Sequence, residues 1–233
     1  MLISRSHRFY FLKAKKCAGT TIECVLGQLC QGPEDICTSF GVVEQIDKQF
    51  RVGSVQINSE FHEHSNYKDI KKLDIFNLIP IIAIRHPYEI VASSCAWHVH
   101  QDINTIEDVK EYQDLGYVPK KTDEYLRYSF ETMFGKKCLP YWENKRNRHE
   151  RFRQYEFYGD ALYNPDLITI RFDNLQNDLS DLCNHFHIDQ HIPHTKKSHI
   201  FNYEECKRIF TKDQLNQIYE YFKNSFIYWG WER

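Results

Sequence analysis

The chain has no uninterrupted apolar segment that approaches the length of a bilayer span. Its first residues, MLISRSHRF, carry no long apolar core of the kind that directs export. Neither a membrane-spanning nor a secreted protein is expected. Charge of one sign is not in excess either: 30 Lys and Arg against 32 Asp and Glu give a formal net charge of -2. Without a global field, neither a nucleic acid nor an anionic membrane is the expected partner. Repeats, low-complexity tracts and convincing linkers are absent. The eight cysteines are scattered with no C-x-x-C pair, and with no export signal they read as reduced thiols of a cytoplasmic protein. Cys24, Cys30 and Cys37 lie close enough in sequence to leave one disulfide as the alternative. A zinc ligand set is also missing. His62/His64, His98/His100 and His185/His187 are H-x-H pairs, but no further Cys or carboxylate completes three or four ligands at metal spacing. No metal is expected.

What is present suits one domain over residues 1–233, long enough to bury a sizeable core. Short apolar runs at Phe9–Leu12, Ile81–Ile84 and Leu167–Ile170 read as buried strands, and Gln49–Asn58 alternates weakly. Helical spacing follows at Ile22, Val25, Leu26 and Leu29, and again at Leu175, Leu179, Leu182, Cys183 and Phe186. Pro87 suits a helix's first turn. Thr105-x-x-Asp108 reads as a helix start with Gly116 as its stop, and Thr122–Phe134 as another helix closed by Gly135. Thr211-x-x-Gln214 is a capping box opening a last helix that buries Leu215, Ile218, Tyr219, Phe222 and Phe226. Strands separated by helices predict an α/β fold: three layers, with a central parallel sheet between helices and ligands at the carboxyl ends of the strands.

The most informative stretch is Arg8–Ile22, RFYFLKAKKCAGTTI. A strand feeds a turn holding Lys13, Lys15 and Lys16, and the turn opens a helix. Unpaired N–H groups and the helix dipole make such a place an anion site. Gly19 admits close backbone approach, Thr20 and Thr21 add hydroxyls, and Lys16 is placed to reach a transferring group. The reading is phosphate binding; its rival is a basic surface turn between a strand and a helix. A nucleoside-triphosphate loop would place Lys after the last Gly, as GK[ST], and that tripeptide occurs nowhere in the chain. The order Lys-x-x-Gly-Thr-Thr instead resembles the 5′-phosphosulfate loop of sulfotransferases, often PKTAGTS. Lys15 stands where that family has Pro, and Cys17 where it has Thr or Ser.

Ile81–Ser93, IIAIRHPYEIVAS, resembles the same family's 3′-phosphate motif, a strand followed by Arg-x-Pro and a Ser eight residues after the Arg. Arg85, Pro87 and Ser93 fit that spacing, with His86 replacing a frequent Asn. A guanidinium at a strand end can grip a phosphate in a bidentate fork; taken alone, the same arginine would more simply cap a sheet edge. Leu167–Leu175, LITIRFDNL, resembles a third landmark that supports the core and the cofactor side. The C-terminal stretch resembles the family's tail, with Lys196, Lys197 and Ser198 in its basic loop. The closest likeness is to carbohydrate sulfotransferases of the 2-O-sulfotransferase-like group.

The resemblance implies a P-loop nucleotide-hydrolase-like fold and transfer of a sulfuryl group from 3′-phosphoadenosine-5′-phosphosulfate, leaving adenosine 3′,5′-bisphosphate. It implies Lys16 on the leaving phosphate, with Lys16, Cys17, Ala18, Gly19, Thr20 and Thr21 around the 5′-phosphate. Arg85 and Ser93 would hold the 3′-phosphate, with Lys197 nearby. In the carbohydrate enzymes a His between the first two motifs is the general base, and HEHSNYKDI places His64 there, with His62 as the alternative and His98 lining the same crevice. Residues 102–164 carry no recognised motif and read as a helical acceptor-side insertion. The acceptor is a carbohydrate or a small alcohol. Two other functions remain: a divergent ATP-dependent small-molecule kinase requiring Mg²⁺, and a non-enzymatic RNA- or polyanion-binding protein. The second would use Lys136–Arg153, where Tyr141, Trp142 and Phe152 interleave with basic residues.

Overall fold

A computed structural model describes residues 1–30, 32–38, 61, 64–105, 126, 127, 130, 131, 152–189 and 201–233, with the backbone alone for 97–105. The described chain divides into two compact units, Met1–Arg85 with Glu150–Ser198, and His86–His149 with His199–Arg233.

The first unit is built on a five-stranded open sheet of order β3-β1-β2-β4-β5. Its strands are β1 (Leu2–Ser4), β2 (Phe9–Leu12), β3 (Ile36–Cys37), β4 (Ile79–Ile84) and β5 (Ile168–Arg171). The three runs expected as strands are β2, β4 and β5, and they lie side by side in parallel, with Leu12 opposite Ile82 and Ile84 opposite Arg171. The sheet is mixed rather than wholly parallel, because β1 pairs antiparallel with both β2 and β3. These two strands are only three and two residues long, too short for a period to declare itself in the sequence. β1, β2 and nearly all of β4 are buried, as their continuous apolar character requires of strands covered on both faces.

Around the sheet stand α1 (Gly19–Gly27), the short α2 (Tyr67–Ile70), α4 (Gln154–Tyr158) and α5 (Leu175–His185). α5 packs against β5 and buries Leu179, Leu182 and Cys183 at the expected spacing. α4 is anchored by Tyr158, whose buried hydroxyl donates to the Ala83 carbonyl of β4.

The second unit contains α3 (Pro87–Thr105), α6 (Tyr203–Ile209), α7 (Lys212–Tyr221) and α8 (Lys223–Trp229). α3 packs on α6 and α7, and Gln214 Nε2 donates to Glu131 at 2.7 Å. Pro87 opens α3 as expected. Thr105 is the last residue of that helix among the described ones, so the start expected at Thr105-x-x-Asp108 runs outside the described residues. The capping box is present in both directions, with the Thr211 hydroxyl accepting from Gln214 N and Gln214 Oε1 accepting from Thr211 N. The last helix is two helices, parted at Phe222. Ile218, Phe222 and Phe226 are buried, while Leu215 and Tyr219 are half-buried.

The weak strand at 49–58, the stop at Gly116 and most of the helix at 122–134 lie outside the described residues. So do residues 136–151 and the basic loop at 196–198. Among the described residues no helix is long and apolar enough to cross a membrane, and the seven described cysteines are buried thiols.

Candidate anion-binding site

β2 ends at Leu12 and α1 begins at Gly19, so the lysine-rich loop closes in six residues. Two of them take the left-handed conformation without being glycine: Lys16 at φ 65° and Ala18 at φ 57°. For residues with a Cβ such backbone costs energy, and it concentrates at functional sites. Ala18 is left-handed and Gly19 helical, and that alternation of hand turns successive N–H groups toward one concave point, the geometry of an anion nest. Ala18 is also the N-cap of α1 and supplies no side-chain hydrogen bond. With no acidic residue in the first turn either, no carboxylate there competes for the positive end of the helix dipole. Thr20 and Thr21 sit half-buried in that turn.

Beneath the loop runs a buried ion network that the sequence reading did not foresee. Lys13 Nζ lies 2.5 Å from Glu23 Oε2, and the Met1 amine 2.7 Å from Glu23 Oε1. Lys13 is 4% exposed and Glu23 fully buried, so each charge depends on its partners. Burial raises the Glu23 carboxyl, but the neighbouring Met1 amine and Lys13 outweigh it and hold it below the usual carboxylate range. The Lys13 stem crosses directly over Gly19. A Cβ there would stand 2.5 Å from Lys13 Cγ, so Gly19 is required by the close passage of Lys13. The detectable signal was Glu23 itself, the one acid between Thr20 and Leu29.

His64 returns to the same loop. Its Nδ1 is 2.7 Å from the Lys13 carbonyl, and a carbonyl oxygen only accepts, so the neutral ring carries its proton on Nδ1. Nε2 is then the lone-pair nitrogen.

Arg85 follows β4 and is 5% exposed. Its Nη1 donates to the Lys16 carbonyl at 3.2 Å, and its guanidinium carbon stacks 3.7 Å from the centre of the Phe172 ring. Phe172 belongs to the third sequence landmark and thereby contributes at the arginine. Arg171 instead pairs with Asp178, 3.8 Å away.

Gln154, the first residue of α4, is the second partner that sequence reasoning missed. Its Oε1 accepts from Arg85 N at 2.9 Å and its Nε2 donates to Arg85 O at 2.7 Å. The Cys17 thiol shares its one hydrogen between the Lys15 carbonyl at 3.3 Å and the same Oε1 at 3.7 Å. Cys17 is buried, so an anion would meet that residue through its backbone N–H. No periodicity in the basic, aromatic stretch before Gln154 marked it out.

Lys16, Cys17, Ala18, Gly19, Thr20, Thr21, His64 and Arg85 are thus brought to one edge of the first unit, at the carboxyl ends of β2 and β4. Ser93 is buried on α3 of the second unit. Lys197 and His62 lie outside the described residues, as does the side chain of His98. Lys15 Nζ sits 5.1 Å from the centre of the Phe152 ring, and that ring is buried rather than presented for stacking.

His86 belongs to the second unit. Its Nδ1 accepts from Tyr88 N at 3.3 Å, so its Nε2 carries the proton donated to Glu232 O at 3.2 Å. Tyr88, Tyr203, Phe226 and Trp231 surround the ring, and burial pushes its pKa down to about 4.

No family model, curated protein or solved structure matches the chain.

Proposed function

We propose that this protein is a sulfotransferase with a P-loop-like α/β core, using 3′-phosphoadenosine-5′-phosphosulfate and an acceptor hydroxyl on a carbohydrate or small alcohol. One observation carries the reading: the left-handed Ala18 opens α1 without a side-chain cap, in a lysine-rich loop tied to Arg85. The donor nucleotide supplies an activated sulfuryl group. The loop N–H groups with Thr20 and Thr21 hold its 5′-phosphate, and Lys16 stabilises the charge that develops on that phosphate as it leaves. Arg85 grips the 3′-phosphate with its guanidinium. His64 Nε2 removes the acceptor's proton while Nδ1 stays on the Lys13 carbonyl.

The panel that tests this is a thermal-shift series with adenosine 3′,5′-bisphosphate, ATP with Mg²⁺, and a short RNA. The bisphosphate should raise the melting temperature by mass action, without a divalent ion. Stabilisation by ATP with Mg²⁺ alone would transfer the reading to a kinase. Stabilisation by RNA alone would make it a polyanion binder.

A further inference from the structure

We infer that Gln154 is a positioning residue that fixes the Lys16–Gly19 loop and Arg85 relative to each other, so that both ends of a bisphosphate nucleotide are read at one spacing. The inference rests on the proposed function, which makes the loop and Arg85 the two phosphate grips.

Three observations carry it. Gln154 is fully buried, and its one carboxamide serves both backbone groups of Arg85, N–H and carbonyl, at 2.9 and 2.7 Å. The side chain thus bonds both backbone groups of the residue that directly follows β4, and so sets the direction in which Arg85 leaves the strand. The same Oε1 accepts the Cys17 thiol, and Arg85 Nη1 closes the circuit on the Lys16 carbonyl. Loop, strand end and α4 are therefore joined in one closed hydrogen-bonded ring. The ring also accounts for a thiol at position 17: it points inward at Gln154 and the Lys15 carbonyl, where its work is to hold the loop.

A glutamine that merely filled space would be replaced by methionine of similar volume at a cost to stability alone. A positioning glutamine acts through Arg85, and its loss appears in nucleotide discrimination. The test is calorimetric titration with adenosine 3′,5′-bisphosphate and with AMP, at a temperature where each variant is folded by circular dichroism. Gln154→Met should reduce the bisphosphate-to-AMP affinity ratio at least about tenfold, the scale of a hydrogen-bonded charged contact. In an Arg85→Ala background it should change the ratio little further, because the two residues act as one unit.

Gln154→Glu gives a second readout and covers failure of the methionine variant to fold. A protonated glutamic acid reproduces both bonds to Arg85, whereas its carboxylate loses the donor and faces a carbonyl. Its ratio, compared with the unmutated protein at each pH, should be near normal in acid and fall as the carboxyl ionises. A wild-type ratio in Gln154→Met, or in Gln154→Glu at all pH values, would overturn the inference while leaving the function standing. Absence of any bisphosphate preference in the unmutated protein would remove the function, and the inference with it.

Discussion

At the scale of single residues, the division of labour among the lysines is the sharpest consequence. Lys13 is buried against Glu23, Lys15 lies over Phe152, and Lys16 stands at the left-handed turn of the loop. Lys16→Ala should therefore lower turnover far more than it weakens bisphosphate binding, the split expected of a group that acts on the leaving phosphate. Near-normal turnover would mean that another residue does this work. Lys13→Met should do the opposite. It leaves the chemistry's groups in place but strips one partner from a buried carboxylate, at a cost of about 3 kcal/mol measured by urea unfolding. An unchanged midpoint would show that the Met1 amine suffices for Glu23. His64→Ala should lower transfer by about 10²–10⁴-fold with nucleotide-induced stabilisation retained. The acidic limb of the pH–rate profile should vanish with it. His62→Ala is the matched control, and a reversal between the two would move the base by two residues.

At the scale of elements, strand, loop and helix at Phe9–Gly27 were legible because each left a separate mark: an apolar run, a cluster of lysines, then apolar positions at helical spacing. The parallel trio was legible for the same reason. What was hidden lies in contacts that no local pattern encodes. β1 and β3 are too short to show a period, and the sheet's mixed character came with them. Gln154 meets Arg85 across a sequence separation of 69 residues, and Lys13 meets Glu23 through a helix whose remaining face is apolar. Gly19 illustrates the difference most plainly. Its presence in the loop was readable, but its reason, the Lys13 stem lying where a Cβ would be, needed the fold. Gly19→Ala should destabilise the protein by about 1–3 kcal/mol, the usual range for overpacking. An unfolding midpoint equal to that of the unmutated chain would show that the Lys13 stem swings aside without cost.

At the scale of the whole molecule, stability and function should answer to pH through different histidines. His86 is held neutral by burial, with a pKa near 4 in the fold against the ordinary 6.5 in the unfolded chain. Between those values the unfolded state binds the extra proton, so stability present at neutral pH is lost as pH falls from about 6.5 toward 4, by up to about 3 kcal/mol. His86→Asn should flatten that part of the profile, and urea unfolding at pH 7 and pH 5 measures the difference. Equal slopes in variant and parent would assign the loss to other groups. The central claim is that the chain recognises a nucleotide by two phosphates, and titration calorimetry in the presence of a chelator tests it most directly. Adenosine 3′,5′-bisphosphate should bind without a divalent ion and more tightly than AMP, and Arg85→Ala should remove most of the difference. Equal affinity for the two nucleotides in the unmutated protein would contradict it.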